Sequence, residues 1–249
     1  MGTPSDLAPE VTRHGSTDVR AAVLSMSARS ADGHDADYLE WHGLDHLPEQ
    51  YRIPAIRSGT RWVSTPDCRA ARAASAERFD AVDHLVAYLF ADPLGAGLDA
   101  FFALGADLRA ADRMPCRLPM VELAGYELTN LAAARRVLVG ADALPWRPAR
   151  GVYLLIEQGP ALPIEPLLGV PGVAGAWSYT GSASMHDRLT STDGLCLTLA
   201  YLDGDPPEVA RSMAHTLATR WRSGATTALL AAPFITVVPW AWDAALPTR

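Results

Sequence analysis

Residues 35–63 read Asp-Ala-Asp-Tyr-Leu-Glu-Trp-His-Gly-Leu-Asp-His-Leu-Pro-Glu-Gln-Tyr-Arg-Ile-Pro-Ala-Ile-Arg-Ser-Gly-Thr-Arg-Trp-Val, and no other stretch of the chain is so dense in groups able to move protons or bind metal. Tyr38, His42, Asp45, His46 and Glu49 are related by steps of three and four, which on a helix gives them one broad face. Histidine titrates near neutrality, so His46 is the candidate proton-transfer group, with His42 beside it. Asp45 or Glu49 would orient the His46 ring or raise its pKa, and Tyr38 would help to hold a developing negative charge. The bland alternative is a solvated helix face with His46 packed on Pro48. Two histidines four apart could also hold a divalent metal. However, His-Gly-Leu-Asp-His lacks the Glu that follows the first His in a zinc hydrolase, and a third ligand would have to come from His84 or Asp83. No metal site is assigned.

Other candidates lie outside this stretch. Arg57 and Arg61 share a strand face, where they could hold a carboxylate or enolate, or pair with surface acids. Asp83 and His84 open a strand that turns one of them inward, so His84 is a candidate second acid–base group. Trp41, Tyr51, Trp62, Tyr88, Phe101, Phe102, Trp177 and Tyr179 are core aromatics or walls of a pocket for a flat apolar ligand. Met185-His186-Asp187-Arg188 falls in a loop, with His186 able to cap a pocket or simply to sit at the surface. The three cysteines, Cys68, Cys116 and Cys196, are scattered and read as buried thiols in a reducing compartment. Glycine-rich phosphate loops, serine-nucleophile elbows and Cys-x-x-Cys pairs are missing from the sequence.

The elements that must position these groups can be read from the apolar pattern. Strands are expected over 19–27, 56–64, 82–91 and 120–128. A helix capped by Asp35 or Asp37 should run to Leu47, where Pro48 disturbs it, and a second covers 98–108. Residues 65–80 form a connector. The order β-α-β-β-α-β is the ferredoxin-like split unit. After a linker with a short helix over 131–139, strands follow over 151–157, 170–179, 195–202 and 234–242, with a helix over 206–223. Ile53-Pro54-Ala55-Ile56 matches Val170-Pro171-Gly172-Val173, and Ala87-Tyr88-Leu89 matches Ala200-Tyr201-Leu202 at nearly the same separation. The division is therefore a mobile arm (1–17), a first unit carrying the site (18–130), a linker (131–148) and a degenerate second unit (149–249). An antiparallel sheet with helices on one face must cover the other, and a two-unit chain can do so internally, sheet against sheet.

With 49% apolar and 20% charged residues, 249 residues can bury a substantial core. A net charge of −7 with no basic run argues against a nucleic-acid partner. No stretch reaches membrane-span length, and residues 1–16 lack the apolar core of a signal peptide, so a cytoplasmic protein is expected.

His46-Leu47-Pro48 ending a helix, then Ile53-Pro54-Ala55-Ile56, then Trp62 on the next strand, resembles the EthD-like branch of the dimeric α/β-barrel (ferredoxin-like) superfamily. Ala55 stands where glycine is usual. The second unit keeps Pro171-Gly172-Val173 with Trp177 and Tyr179 but has lost the helix and its His-x-Pro. The resemblance implies an α+β fold of two tandem ferredoxin-like units packed into an intramolecular dimeric α/β-barrel, with one working site in the first unit. The superfamily includes cofactor-independent monooxygenases, cyclases, isomerases, dehydratases and haem enzymes, so the fold leaves the reaction open. The expected function is cofactor-independent, His-centred acid–base chemistry on a hydrophobic carbonyl- or phenol-bearing metabolite. The alternatives are a non-catalytic binding protein for an apolar metabolite, or a haem or flavin oxygenase with His42, His46 or His84 as axial ligand. Pairing of two-unit chains into a homodimer is the further partner expectation.

Overall fold

A computed structural model describes residues 17–115 and 117–244; the expected N-terminal arm, Cys116 and the last five residues fall outside them, apart from Thr17. Nine strands form one sheet: β1 (Val19–Ser27), β2 (Ile56–Val63), the two-residue β3 (Ala74–Ser75), β4 (His84–Ala91), β5 (Met120–Ala133), β6 (Gly151–Gln158), β7 (Val173–Gly181), β8 (Leu195–Leu202) and β9 (Thr227–Thr236). Eight of them run in the order β2-β4-β1-β5-β7-β8-β6-β9. Pairing of Trp62 with Thr236 and of Val63 with Ile235 then joins β2 to β9 and closes an antiparallel barrel. The first half contributes β5-β1-β4-β2 and the second β9-β6-β8-β7. In both, the fourth strand of the half lies beside its first, then its third, then its second.

Side-chain alternation sorts each strand into two faces. Leu24 and Met26 of β1, Leu85 and Leu89 of β4, Trp62 of β2, Trp177 and Tyr179 of β7 and Phe234 of β9 meet inside the barrel. The other face of the first half carries Val23, Val86, Tyr88 and Phe90 under α4 (Leu94–Ala110). In the second half, Tyr153 and Leu155 lie under α6 (Pro206–Arg220). With both faces covered, β4 and β8 are buried along their whole length, which is why they read as unbroken apolar runs.

Several boundaries differ from the sequence expectation, each for a physical reason. The expected helix over 131–139 is strand at its start, because β5 continues to Ala133 to pair with β7 and so join the two half-sheets. The helical turn comes later, a 3-10 segment at Ala141–Trp146. The last strand is β9, seven residues earlier than expected. Pro233 lies within it, paired with Tyr153 of β6. Its other edge is free there, between the β3 pairing at Leu230 and Ala231 and the β2 pairing at Ile235 and Thr236, so the missing N–H costs no ladder bond. The connector over 65–80 forms α3 (Pro66–Ala70), capped by the Thr65 side chain, then β3. Among the described residues, no helix is long and apolar enough to cross a membrane.

Candidate active site

The helical stretch after β1 comes in three parts: α1 (Asp35–Trp41), a π-helical turn (His42–His46) and α2 (Leu47–Gln50). Pro48 does not end the helix. It has no N–H to give and its ring crowds the carbonyl four residues back, and the backbone widens just ahead of it. The Leu47 N–H reaches the His42 carbonyl five residues earlier. Such insertions are frequent at functional sites. Neither Asp35 nor Asp37 is the cap. His34 takes that position without a side-chain bond. Asp35 turns inward, and its Oδ1 accepts from the Ser30 N–H (2.9 Å) and from His84 Nε2 (2.8 Å).

Tyr38, Trp41, His42, His46 and Gln50 line a cavity of about 340 Å3 between this helical stretch, α4 and the first half-sheet. The sheet floor follows from register. Arg61 of β2 lies opposite Val86 of β4, which lies opposite Ser25 of β1, which lies opposite Leu123 of β5. All four line the cavity, with Tyr88 and Ser27 one step away and Phe101 and Phe102 of α4 as the apolar roof. Gly59 lets α2 come close to the sheet: a Cβ there would lie 2.5 Å from Leu47 Cδ1 and 3.1 Å from the Tyr88 ring.

His42 is 2% exposed, and its Nε2 shares a 2.9 Å hydrogen bond with the Tyr88 hydroxyl. Its Nδ1 is buried without a partner. Burial first, then the Arg61 charge and the neighbouring histidines, hold its pKa well below the usual histidine range. His46 stacks near Trp41, with ring centroids 5.0 Å apart, and accepts from the Gln50 amide at 3.1 Å. Burial and Arg61 lower it to about 4. Both rings are therefore neutral at pH 7. Burial pushes the Tyr88 phenol up, so it stays a neutral donor. Arg61 is 9% exposed; it donates to the Tyr38 hydroxyl at 3.2 Å and lies over the Tyr38 ring, 4.8 Å from its centroid.

The expected helpers of His46 are elsewhere. Glu49 accepts from Arg52 (2.7 Å) and Arg113 (2.8 Å), Asp45 is held only by Arg113 at 3.5 Å, and neither lines the cavity. They leave the inward face because the π turn and Pro48 rotate the helix between the two histidines and Glu49. His46 is thus shifted down in pKa, not up. His84 is 1% exposed and lies on the same sheet face as Val86 and Tyr88, at the end of the floor beside Tyr38, donating through Nε2 to Asp35. It ties the start of α1 to β4 and does not meet the cavity. Arg57 points outward to Asp18 and the Pro54 carbonyl, and Tyr51 braces the Gly59 backbone through its hydroxyl. Trp62, Trp177 and Tyr179 are inside the barrel on the opposite face of the sheet, so they build the core and not the pocket wall.

The cavity also gathers residues that sequence reasoning missed: Ser25, Ser27, Gln50, Arg109, Met114, Arg117 and Arg188. Strict alternation along β1 from the core residues Leu24 and Met26 was the available signal for the two serines. Arg188 comes from the loop between β7 and β8. That loop is pinned over the first half by Thr190 bridging Ala124 and by His186 stacked on Phe102, ring centroids 4.4 Å apart. The second half therefore adds a side chain to the site.

Among the described residues, no group of three His, Cys, Asp or Glu side chains is placed to hold a metal ion. Asp83, once a possible third ligand, is engaged by Arg69 and Arg72. For haem, an axial histidine needs a ring nitrogen free to face the iron. The Nε2 atoms of His42, His46 and His84 are taken by Tyr88, Gln50 and Asp35, and every unpartnered Nδ1 is buried. As placed, none of these three histidines presents a free ring nitrogen to a haem iron.

No family model matches the chain, and no curated protein matches its sequence. Solved structures do. An anthrone oxidase-like protein is 12% identical, covering 88% of this chain and 92% of its own, with a TM-score of 0.52. A candidate chlorite dismutase is 11% identical, covering 92% and 99%, with a TM-score of 0.53. A variant chlorite dismutase from Candidatus Nitrospira defluvii is 10% identical, covering 93% and 95%, with a TM-score of 0.50. At such identities the likeness is one of fold: a mixed α+β chain with a closed, eight-stranded antiparallel barrel, as in the dimeric α/β-barrel proteins.

Proposed function

We propose that this chain is a small-molecule oxygenase-type enzyme of the EthD-like kind, built as two tandem ferredoxin-like units, that deprotonates a phenol- or carbonyl-bearing apolar substrate without a cofactor. The observation that carries the reading is the grouping of two neutral histidines, a buried cation and a phenol donor in one largely apolar cavity. His46, the less buried histidine, accepts the proton at Nε2 once the Gln50 amide that donates to it turns aside for the substrate. Tyr88, bonded to His42, donates to the substrate oxygen. Arg61, with Tyr38 behind it, faces the enolate or phenolate that forms.

A histidine with a pKa near 4 is a weak base, and Arg61 offsets part of that weakness. Burial, the larger cause of the lowered pKa, opposes the transfer, whereas the Arg61 charge that adds to it also lowers the pKa of a bound phenol or enol and gives the product anion a partner. Dioxygen would then oxidise the carbanion. A methylene flanked by aromatic rings takes up one O2, becomes a carbonyl and releases one water. The anthrone oxidase-like neighbour supports this choice of substrate, a tricyclic ketone with such a methylene.

The test is oxygen uptake by chelator-treated protein given anthrone, beside His46→Ala and His42→Ala. Protein-dependent uptake that falls by about 10²-fold or more in His46→Ala is expected, the size of a general-base contribution. Anthrone binding without any uptake would make the chain a carrier. Uptake unchanged in both variants would remove the histidines from the chemistry.

A further inference from the structure

The cavity has four arginines in its lining and no carboxylate, in a chain whose net charge is −7. Arg61 lies at the floor, buried, and among the described residues its side chain has the neutral Tyr38 hydroxyl as its one hydrogen-bond partner, with Nε unpartnered. A buried guanidinium without a counter-charge is costly unless something neutralises it. Arg109, Arg117 and Arg188 are exposed and stand at the open end. Among the described residues none of the three makes an ion pair, and Arg188 does no more than lie over the Phe102 ring. Nearby acids make no ion pair with these arginines: Asp99 meets His186, Glu49 meets Arg113 and Arg52, and Asp187 borders a neighbouring cleft that Arg188 also lines. Elsewhere the chain neutralises its arginines closely, as where Arg136 and Arg147 converge on Asp203 or Arg220 on Glu157.

We propose that the natural ligand is an aromatic carboxylate. Its flat body lies between Val86, Leu123 and the Phe101–Phe102 roof, its carboxylate meets the three rim arginines, and Arg61 is left for the charge that develops at the reacting oxygen. Three arginines from α4, the loop before β5 and the β7–β8 loop line one cavity from separate parts of the chain, and guanidinium groups suit carboxylates by their two parallel N–H donors. The substrate class deepens the oxygenase reading, but binding can be measured apart from turnover.

The experiment is calorimetric titration of the full-length protein with 2-naphthoate and with its methyl ester, two probes of the same body that differ in charge. The acid is expected to bind at least ~tenfold more tightly at low salt, with the gap narrowing as salt is raised. Arg109→Gln/Arg117→Gln/Arg188→Gln should abolish the preference. Arg211→Gln, an exposed arginine on α6, should leave it intact and so control for overall charge. Failure of the acid to bind, equal or tighter binding of the ester, or a preference surviving the triple substitution each overturns the proposal. Acid preference without oxygen uptake sinks the oxygenase reading alone. Oxygen uptake with anthrone but no acid preference sinks the carboxylate alone.

Discussion

At the scale of single residues, the histidines differ from free histidine in a direction that experiment can read. His46 is lowered to about 4 by burial and by Arg61, and His42 is held well below its usual range by burial, Arg61 and the neighbouring histidines. Between about pH 4 and 6.5 the unfolded chain takes up protons at these positions that the native state refuses, so unfolding is favoured as pH falls through that window. The His46 contribution is fully present above pH 6.5, declines toward pH 4 and changes no further below it, and His42 adds a loss in the same direction. The same shift sets the acid limb of activity. If His46 works as a neutral base, kcat/KM should hold level from pH 8 to about 5 and fall near 4. A limb at pH 6 to 7 would show that the working group is a histidine of ordinary pKa, and His46 would lose its role. The sequence could name His42, His46, Tyr38 and Arg61, because helical and strand spacing groups them. It could not give the sign of the shift, which comes from burial and the Arg61 charge with Asp45 and Glu49 facing away.

At the scale of elements, the site depends on how closely α4 and α2 approach the sheet. Gly97 of α4 faces Ala55, where an added Cβ would come within 2.5 Å of the Ala55 Cβ and 3.4 Å of the Phe90 ring. Gly97→Ala gains about 1 kcal/mol of helix propensity. It also overpacks a contact that has no flexible end to yield, at a cost of about 1–3 kcal/mol. The net expectation is destabilisation of about 1 kcal/mol and weaker ligand binding, since Phe101, Phe102 and Arg109 ride on the same helix. Gly95, with nothing near its missing Cβ, gives the contrast: Gly95→Ala should hold or slightly raise stability. Urea midpoints decide it, and a midpoint for Gly97→Ala at or above the parent would mean that α4 can slide freely. Element order and the alternation of β1, β2 and β4 were legible in the chain because apolar periodicity is a local signal. The π turn at His42–His46 and the run of β5 to Ala133 were not. The first is a backbone response to Pro48, and the second is dictated by a partner strand, β7, more than forty residues on.

At the scale of the whole molecule, the barrel explains why the two halves belong to one chain. The inner face of the first half-sheet presents Leu24, Met26, Trp62, Leu85 and Leu89, and the second half covers them with Trp177, Tyr179, Phe234 and their neighbours. Closure depends on short contacts at the seam, where two residues of β2 meet two of β9. The second half also carries the loop that delivers Arg188 to the cavity, so losing it would both bare the core and open the site. Residues 1–148 produced alone should therefore not persist as a folded monomer, because a sheet face of that size and apolarity exposed to water drives self-association. Mixed with residues 149–249 during refolding, they should recover a one-to-one complex with the native spectrum and ligand binding. Size-exclusion chromatography with light scattering checks both outcomes. A monomeric, cooperatively folding fragment 1–148 that binds ligand unaided would mean that the first half completes its own core, and that the barrel is a later addition to a site already whole.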